Sequence, residues 1–223
     1  MALARHQVTS NTVGLWQFDW DGTDSSGNGY DLTLEAGIER YSDLWPGVSG
    51  ALFNGGVTKF YRSSAEAALR ILGDMTIEFF YMSLINYPSG YVCYHGTSGE
   101  SLPTNYLYSV SYESGNASTQ WLQEYGAGSD SLYQFTEELP PPRSLIHVAA
   151  TRRSDVIRLY HNGRLVGTSS ALTTPEDGSS GRLRVGEGVN GIVSSLKILN
   201  VGLTDEEIVE EYNSTFGPVF GEL

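Results

Sequence analysis

The densest set of hard oxygen donors in the chain lies near its start. Asp19, Asp21, Asp24, Asn28 and Asp31 fall within one short loop region. A calcium ion takes six to eight oxygens from carboxylates, amides and backbone carbonyls, so this stretch is the candidate for Ca²⁺, with Asp19, Asp24 and Asn28 as its ligands. The same residues have a purely structural use, because Asp24 and Asn28 can form Asx turns and shape the loop. A second concentration is aromatic. Tyr87, Tyr91, Tyr94, Tyr106, Tyr108, Tyr112, Trp121, Tyr125 and Tyr133 occur among Gly, Ser and Asn. Flat rings with polar tips stack on sugar faces and also suit protein interfaces. Half or more of them are expected to alternate into a core. Tyr87, Tyr91, Trp121 and Tyr125 are the four expected on loops, where binding residues concentrate.

Other constellations carry less. Glycoside hydrolysis needs two carboxyl groups flanking the scissile bond. Glu78 stands alone in its apolar run, and Glu137, Glu138 and the acids of 205–211 read as solvated charge, so no acid/base pair is named. Gly186-x-Gly188-x-x-Gly191 matches a dinucleotide fingerprint formally, but an alternating strand pattern follows where a helix is required. His6, His95, His147 and His161 show no metal-ligand spacing. His147 reads as a packed imidazole and Cys93 as a buried thiol. No Gly-x-Ser-x-Gly elbow occurs.

The elements that must position these residues are mostly strands. Met75, Ile77, Phe79 and Tyr81 alternate with Thr76, Glu78, Phe80 and Met82, and Ile157 and Leu159 alternate with Arg158 and Tyr160. Period two with one apolar face is the pattern of a packed antiparallel sheet. Asn162-Gly163 predicts a tight hairpin between 157–161 and 164–169. Pro140-Pro141-Pro142 predicts a loop. Two helices are expected. One is Ser64–Leu72, closed by Gly73. The other begins at Thr204, where Glu207 completes a capping box, and carries Ile208, Tyr212 and Phe216 on one stripe.

Composition agrees. The chain has 223 residues, 26 of them Gly and 14 Tyr, and only 17% are charged. Residues 1–12 read as a free N-terminal arm and 13–223 as one domain. Acidic residues number 26 against 13 basic, a net charge of −13. This excludes a nucleic-acid partner, whose phosphates require a basic surface. A single cysteine excludes an intrachain disulfide and a Cys-rich zinc site. No apolar run approaches the roughly 20 residues of a membrane span, and the first residues lack the apolar core of a signal peptide. The expected location is a virion if the gene is phage-borne, and otherwise the cytoplasm, or outside the cell if a signal is missing from this sequence.

Several segments, in order, resemble one family. GLWQFDWDG (Gly14–Gly22) and DSSGNGYDLTL (Asp24–Leu34) resemble its opening strand and turn. GVSGALFNGG (Gly47–Gly56), MTIEFFYMS (Met75–Ser83), LIHVAATR (Leu145–Arg152) and IRLYHNGRLVG (Ile157–Gly167) resemble its central segments. The run Leu183–Tyr212 resembles its last strands and closing helix. The chain is thus similar to the laminin-G-like jelly rolls of the concanavalin A-like lectin/glucanase superfamily. The resemblance implies an all-β, two-sheet antiparallel sandwich with a short C-terminal helix. It also implies calcium at the N-terminal region together with an acid near the last strand, where this chain has Ser194 and Ser195. The expected function is non-catalytic binding or adhesion: a virion component, such as a bacteriophage tail, fibre or head-decoration protein, that recognises surface glycans. The alternative is a purely structural virion protein whose aromatic face meets protein partners, with room for a homo-oligomer. A polysaccharide hydrolase or lyase ranks third, and would depend on Glu78.

Overall fold

A computed structural model describes residues 6–19, 21–34, 38–45, 48–55, 61–63, 66–86, 89–98, 103–113, 118–124, 130–136, 141–171 and 181–215. In chain order the strands are β1 (Thr12–Trp16), β2 (Leu32–Leu34), β3 (Glu39–Trp45), β4 (Val48–Asn54) and β5 (Tyr61–Ser63). Then come β6 (Met75–Ser83), β7 (Gly90–Ser98), β8 (Pro103–Glu113), β9 (Ser118–Glu124) and β10 (Asp130–Thr136). The last are β11 (Leu145–Arg153), β12 (Val156–His161), β13 (Arg164–Thr168), β14 (Arg182–Glu187) and β15 (Asn190–Leu199), followed by helix α1 (Asp205–Thr215).

The strands form two antiparallel sheets. Sheet A runs β13-β12-β11-β6-β15-β4-β3, with β1 also paired to β15. Sheet B runs β10-β9-β8-β7-β14-β5-β2. The all-β jelly-roll sandwich with one short C-terminal helix is therefore observed. Alternation sets the core as expected: Ile77, Phe79 and Tyr81 of β6 meet Val92, Tyr108, Val110 and Trp121 from sheet B. The predicted hairpin joins β12 to β13, with Asn162 at φ +50° and Gly163 at +74°, the pair of positive values a type I′ turn needs.

The closing helix starts where its cap predicts. Thr204 Oγ1 accepts from the Glu207 amide at 3.2 Å, and Glu207 Oε2 accepts from the Thr204 amide at 2.8 Å. Ile208 is buried against Ala149, Tyr160 and Leu203, so α1 lies on the outer face of sheet A. Phe216 lies outside the described residues.

The other predicted helix is corrected. Among the described residues of Ser64–Leu72, Ala67–Leu69 makes a 3₁₀ turn and the rest are not helical. Both Leu69 and Ile71 enter the core, an i, i+2 pattern that an α-helix cannot bury on one side. The segment's carbonyls are taken by side chains instead. Tyr108 Oη donates to Leu69 O at 3.0 Å. The Arg152 guanidinium donates to Gly73 O and, at 3.3 Å, to Ile71 O.

The expected free arm is also different. Its described part runs back along sheet A: His6 is buried, and its ring stacks on Phe80 with centroids 4.8 Å apart.

The run Gly186–Gly191 is the crossing from β14 in sheet B to β15 in sheet A, with no helix after it. Gly186 has φ +82°, and a Cβ there would stand 2.1 Å from Phe53 Cε1. Gly188 has φ +72° but faces only the Gly90 Cα at 3.5 Å. Gly186→Ala is expected to cost at least about 3 kcal/mol, combining overpacking with a strained backbone, and Gly188→Ala only about 1 kcal/mol. Urea midpoints of the two variants check the ranking.

Candidate functional site

The candidate binding face lies on the outside of sheet B. The register of β14 on β7 sets Arg184 opposite Tyr94 and Glu187 opposite Tyr91. Strict alternation would send Tyr91 and Tyr94 to opposite faces. It does not, because the β7–β8 register shifts between Tyr91 and Cys93, and Val92 and Cys93 both enter the core. A bulge of this kind re-aims a side chain. Across from it, the positive φ of Gly186 interrupts β14 between Arg184 and Glu187. The result is a rectangle of two tyrosines, a guanidinium and a carboxylate.

Its members hold one another. Tyr94 Oη donates to Glu187 Oε2 and accepts from Arg184 Nη1 at 2.9 Å. Arg184 Nη1 also lies 3.9 Å from Glu187 Oε2. The Arg184 guanidinium stands 5.7 Å from the Tyr94 ring centroid, within cation–π range. The Tyr91 ring meets Tyr94 edge-on at 5.4 Å. Burial, and then the Glu187 carboxylate, push the Tyr94 phenol well above its ordinary pKa, so it stays a donor. Tyr94 and Arg184 are buried, whereas Tyr91 and Glu187 are half-buried and keep part of their surface in solvent. The set can stack a ring on Tyr91 and engage hydroxyls through Glu187, with Arg184 and Tyr94 fixing the carboxylate.

The sequence singled out Tyr91, which lies on β7 rather than on the expected loop, but not Tyr94, Arg184 or Glu187, because the bulge that gathers them leaves no mark in a period-two pattern. Tyr87 and Tyr125 lie outside the described residues. Trp121 is not loop-borne: it sits on β9 opposite Val110 and Tyr133 and is 1% exposed, so its ring fills the sandwich.

The candidate calcium residues are hydrogen-bonded to their own loop, to β1 and to β4. Asp24 is buried, and its Oδ1 accepts from the Leu15 amide at 3.0 Å and the Ser26 amide at 2.9 Å. Its Oδ2 accepts from Ser26 Oγ at 2.7 Å and the Tyr30 amide at 3.0 Å. Asn28 Nδ2 donates to Val13 O at 3.0 Å and Thr12 O at 3.2 Å. Asp19 Oδ1 accepts from Ser49 Oγ at 2.9 Å. Asp24 is thus the post around which the loop folds onto β1.

A second polar group lies on the outer face of sheet A, beneath the arm and α1. Glu78 on β6 and Lys197 on β15 are register partners, with Lys197 Nζ 3.9 Å from Glu78 Oε2. Glu211 of α1 accepts from Lys197 Nζ at 2.8 Å. His6 Nε2 is 3.9 Å from Glu78 Oε2, and its Nδ1 is 2.7 Å from Ser195 Oγ. His147 of β11 packs against Phe80 and His6. Burial lowers both imidazoles, His147 to about 3, and raises the Glu78 carboxyl to about 8 despite Lys197. Spacing alone hid this set, since its members come from five separate segments of the chain. Beside it a cleft of about 360 Å³ opens between Thr9 and Asn11 of the arm, Leu199, and Glu207, Glu210 and Glu211 of α1.

A two-sheet sandwich of this order, with a closing helix on its outer face, defines a lectin-type jelly roll. The chain belongs to the concanavalin A-like lectin/glucanases superfamily, whose laminin G-type family model matches residues 54–209. No curated protein matches it. Among solved structures it is similar to the binding domain of Paraclostridial Mosquitocidal Protein 1, with TM-score 0.70 and 16% identity over 93% of this chain and 53% of that one. It is also similar to the binding domain of botulinum neurotoxin DC in complex with rat synaptotagmin II, with TM-score 0.71 and 14% identity over 94% and 52%. A third is botulinum neurotoxin type C, whose cell entry depends on two ganglioside molecules, with TM-score 0.71 and 14% identity over 92% and 51%. The chain spans about half the length of these structures, and at such identity the likeness is one of fold. Among the described residues no helix is long and apolar enough to cross a membrane.

Asp24→Ala removes four hydrogen bonds at a buried position and is expected to cost about 3 kcal/mol. Thermal melts check this, and the loss is expected with calcium and with chelator alike.

Proposed function

We propose that the protein is a non-catalytic binding module whose ligand is a glycan, held at the sheet B face by Tyr91 and Glu187. The observation that carries this reading is the registered rectangle of Tyr91, Tyr94, Arg184 and Glu187. A half-exposed aromatic ring beside a carboxylate held by a buried guanidinium suits sugar recognition: the ring takes an apolar sugar face and the carboxylate accepts from hydroxyls. Support also comes from the similar folds named above: two are binding domains, one of them in complex with rat synaptotagmin II, and the third belongs to a neurotoxin whose cell entry depends on two ganglioside molecules. Catalysis is outside this reading. Glu78, the carboxylate a hydrolase would use, is fully buried on the other sheet, beneath His6.

In this proposal the module serves attachment to a glycan-coated surface, as in a bacteriophage tail, fibre or head-decoration protein. Its sparse charge suits neutral partners.

A glycan array with and without calcium is the test. Binding to at least one glycan is expected, and Tyr91→Ala and Glu187→Gln are each expected to weaken it roughly tenfold, about 1.4 kcal/mol. A blank array would sink the reading, as would a hit whose affinity neither substitution changes.

A further inference from the structure

We propose that His6, Glu78 and His147 form a binding site for a divalent transition-metal ion of the zinc type. Each residue turns a ligand atom to one point, and these atoms all lie within 4.8 Å of one another. Two imidazoles and a carboxylate are a donor set that zinc accepts. Zinc bonds of about 2.0–2.1 Å hold ligands no more than roughly 4.2 Å apart, so closure needs side-chain shifts of about an ångström or less.

Three observations point to an ion rather than to packing alone. The first is the number of unpartnered atoms. His6 Nε2, both ring nitrogens of His147 and both carboxylate oxygens of Glu78 are buried without a hydrogen bond. Buried polar atoms left in that state are costly, and an ion would satisfy His6 Nε2, one nitrogen of His147 and the Glu78 carboxylate together. The second is the orientation of His6. Its Nδ1 is held by Ser195 Oγ at 2.7 Å, which leaves Nε2 directed at Glu78. An imidazole anchored through one nitrogen and free at the other is the usual outer support of a metal ligand. The third is rigidity. Phe80 lies against both imidazoles, stacked on His6 and tilted against His147, and so restricts both rings.

The charges around the point permit the ion. Lys197 is the nearby cation: its Nζ hydrogen-bonds Glu211 at 2.8 Å and stands 3.9 Å from Glu78 Oε2, beyond hydrogen-bond reach, so both Glu78 oxygens keep their lone pairs for the metal. The site is structural in character. One ion would tie the N-terminal segment to β6 and β11, so its occupancy sets how firmly the arm is held against the sheet.

Chelator-stripped full-length protein titrated with zinc in a calorimeter tests the site. One ion per chain with micromolar or tighter affinity is expected, together with a melting temperature several degrees higher at saturation. His6→Gln, His147→Gln and Glu78→Gln should each weaken binding by more than about 100-fold, beyond the loss typical of an outer-sphere change. His161→Gln should leave it intact. Far-UV circular dichroism establishes which variants fold. X-ray absorption on the zinc-loaded wild type needs no variant, and should show two imidazoles and an oxygen. Folded wild type that takes up no zinc at 100 µM, an ion whose spectrum lacks imidazole, or folded variants that bind as well as wild type would overturn the assignment.

Discussion

The two central strands of sheet A have no wet face. Every described residue of β6 except Met82 is buried, and every residue of β15 after Asn190 is buried. One side lies against the sandwich core. The other carries Glu78, Lys197 and Ser195, beside His147 of β11, all buried and cut off from water, so their partners must come from the protein. The rest of the outer layer follows from that constraint. Helix α1 brings Glu211 to Lys197, and the N-terminal segment brings His6 to Ser195 and Glu78. The segment at His6 and helix α1 are drawn onto the same sheet by polar groups that needed partners. A buried charge pair of this kind adds little net stability by itself, yet removing one member leaves the other stranded. It therefore specifies where the ends go more than it stabilises them.

Sheet B manages its outer face in another way. There the chain departs from regular pleating at β7 and at Gly186, and these two irregularities put a tyrosine pair and an ion pair on one side. The partial exposure of Tyr91 and Glu187 follows from the same bulge. The two sheets thus give the molecule separate polar constellations with the apolar core between them. One is dry and ties His6 and α1 to the sheet. The other is partly wet and suited to a ligand. The sandwich supplies rigidity to both, and the fold alone selects neither activity.

The first loop is organised by its acidic residues. Asp24 binds three amides and a hydroxyl, and Asp31 Oδ1 accepts from the Asp24 amide at 2.8 Å. Together with Asn28 they fasten the loop 21–31 along β1. A carboxylate that satisfies buried amides serves the same need that a capping residue serves at a helix end.

Some of this was legible from residue order. Alternation in Met75–Ser83 and Ile157–Leu159, the Asn162-Gly163 turn and the Thr204/Glu207 box are local codes. Each rests on φ/ψ preferences or on contacts within four residues, so the sequence by itself determined the strands, the hairpin and the closing helix. Ser64–Leu72 misled because its composition is helical while its backbone partners, Tyr108 and Arg152, lie about 40 and 80 residues away by the loop-closing geometry that only a packed chain can provide. The burial of Trp121, the bulge that turns Tyr91 toward Tyr94, and the meeting of His6, Glu78 and His147 were likewise decided by tertiary structure. In each case the deciding contact joins segments far apart in the chain, and a pattern read along the chain holds no information about which distant residues will share a space without water.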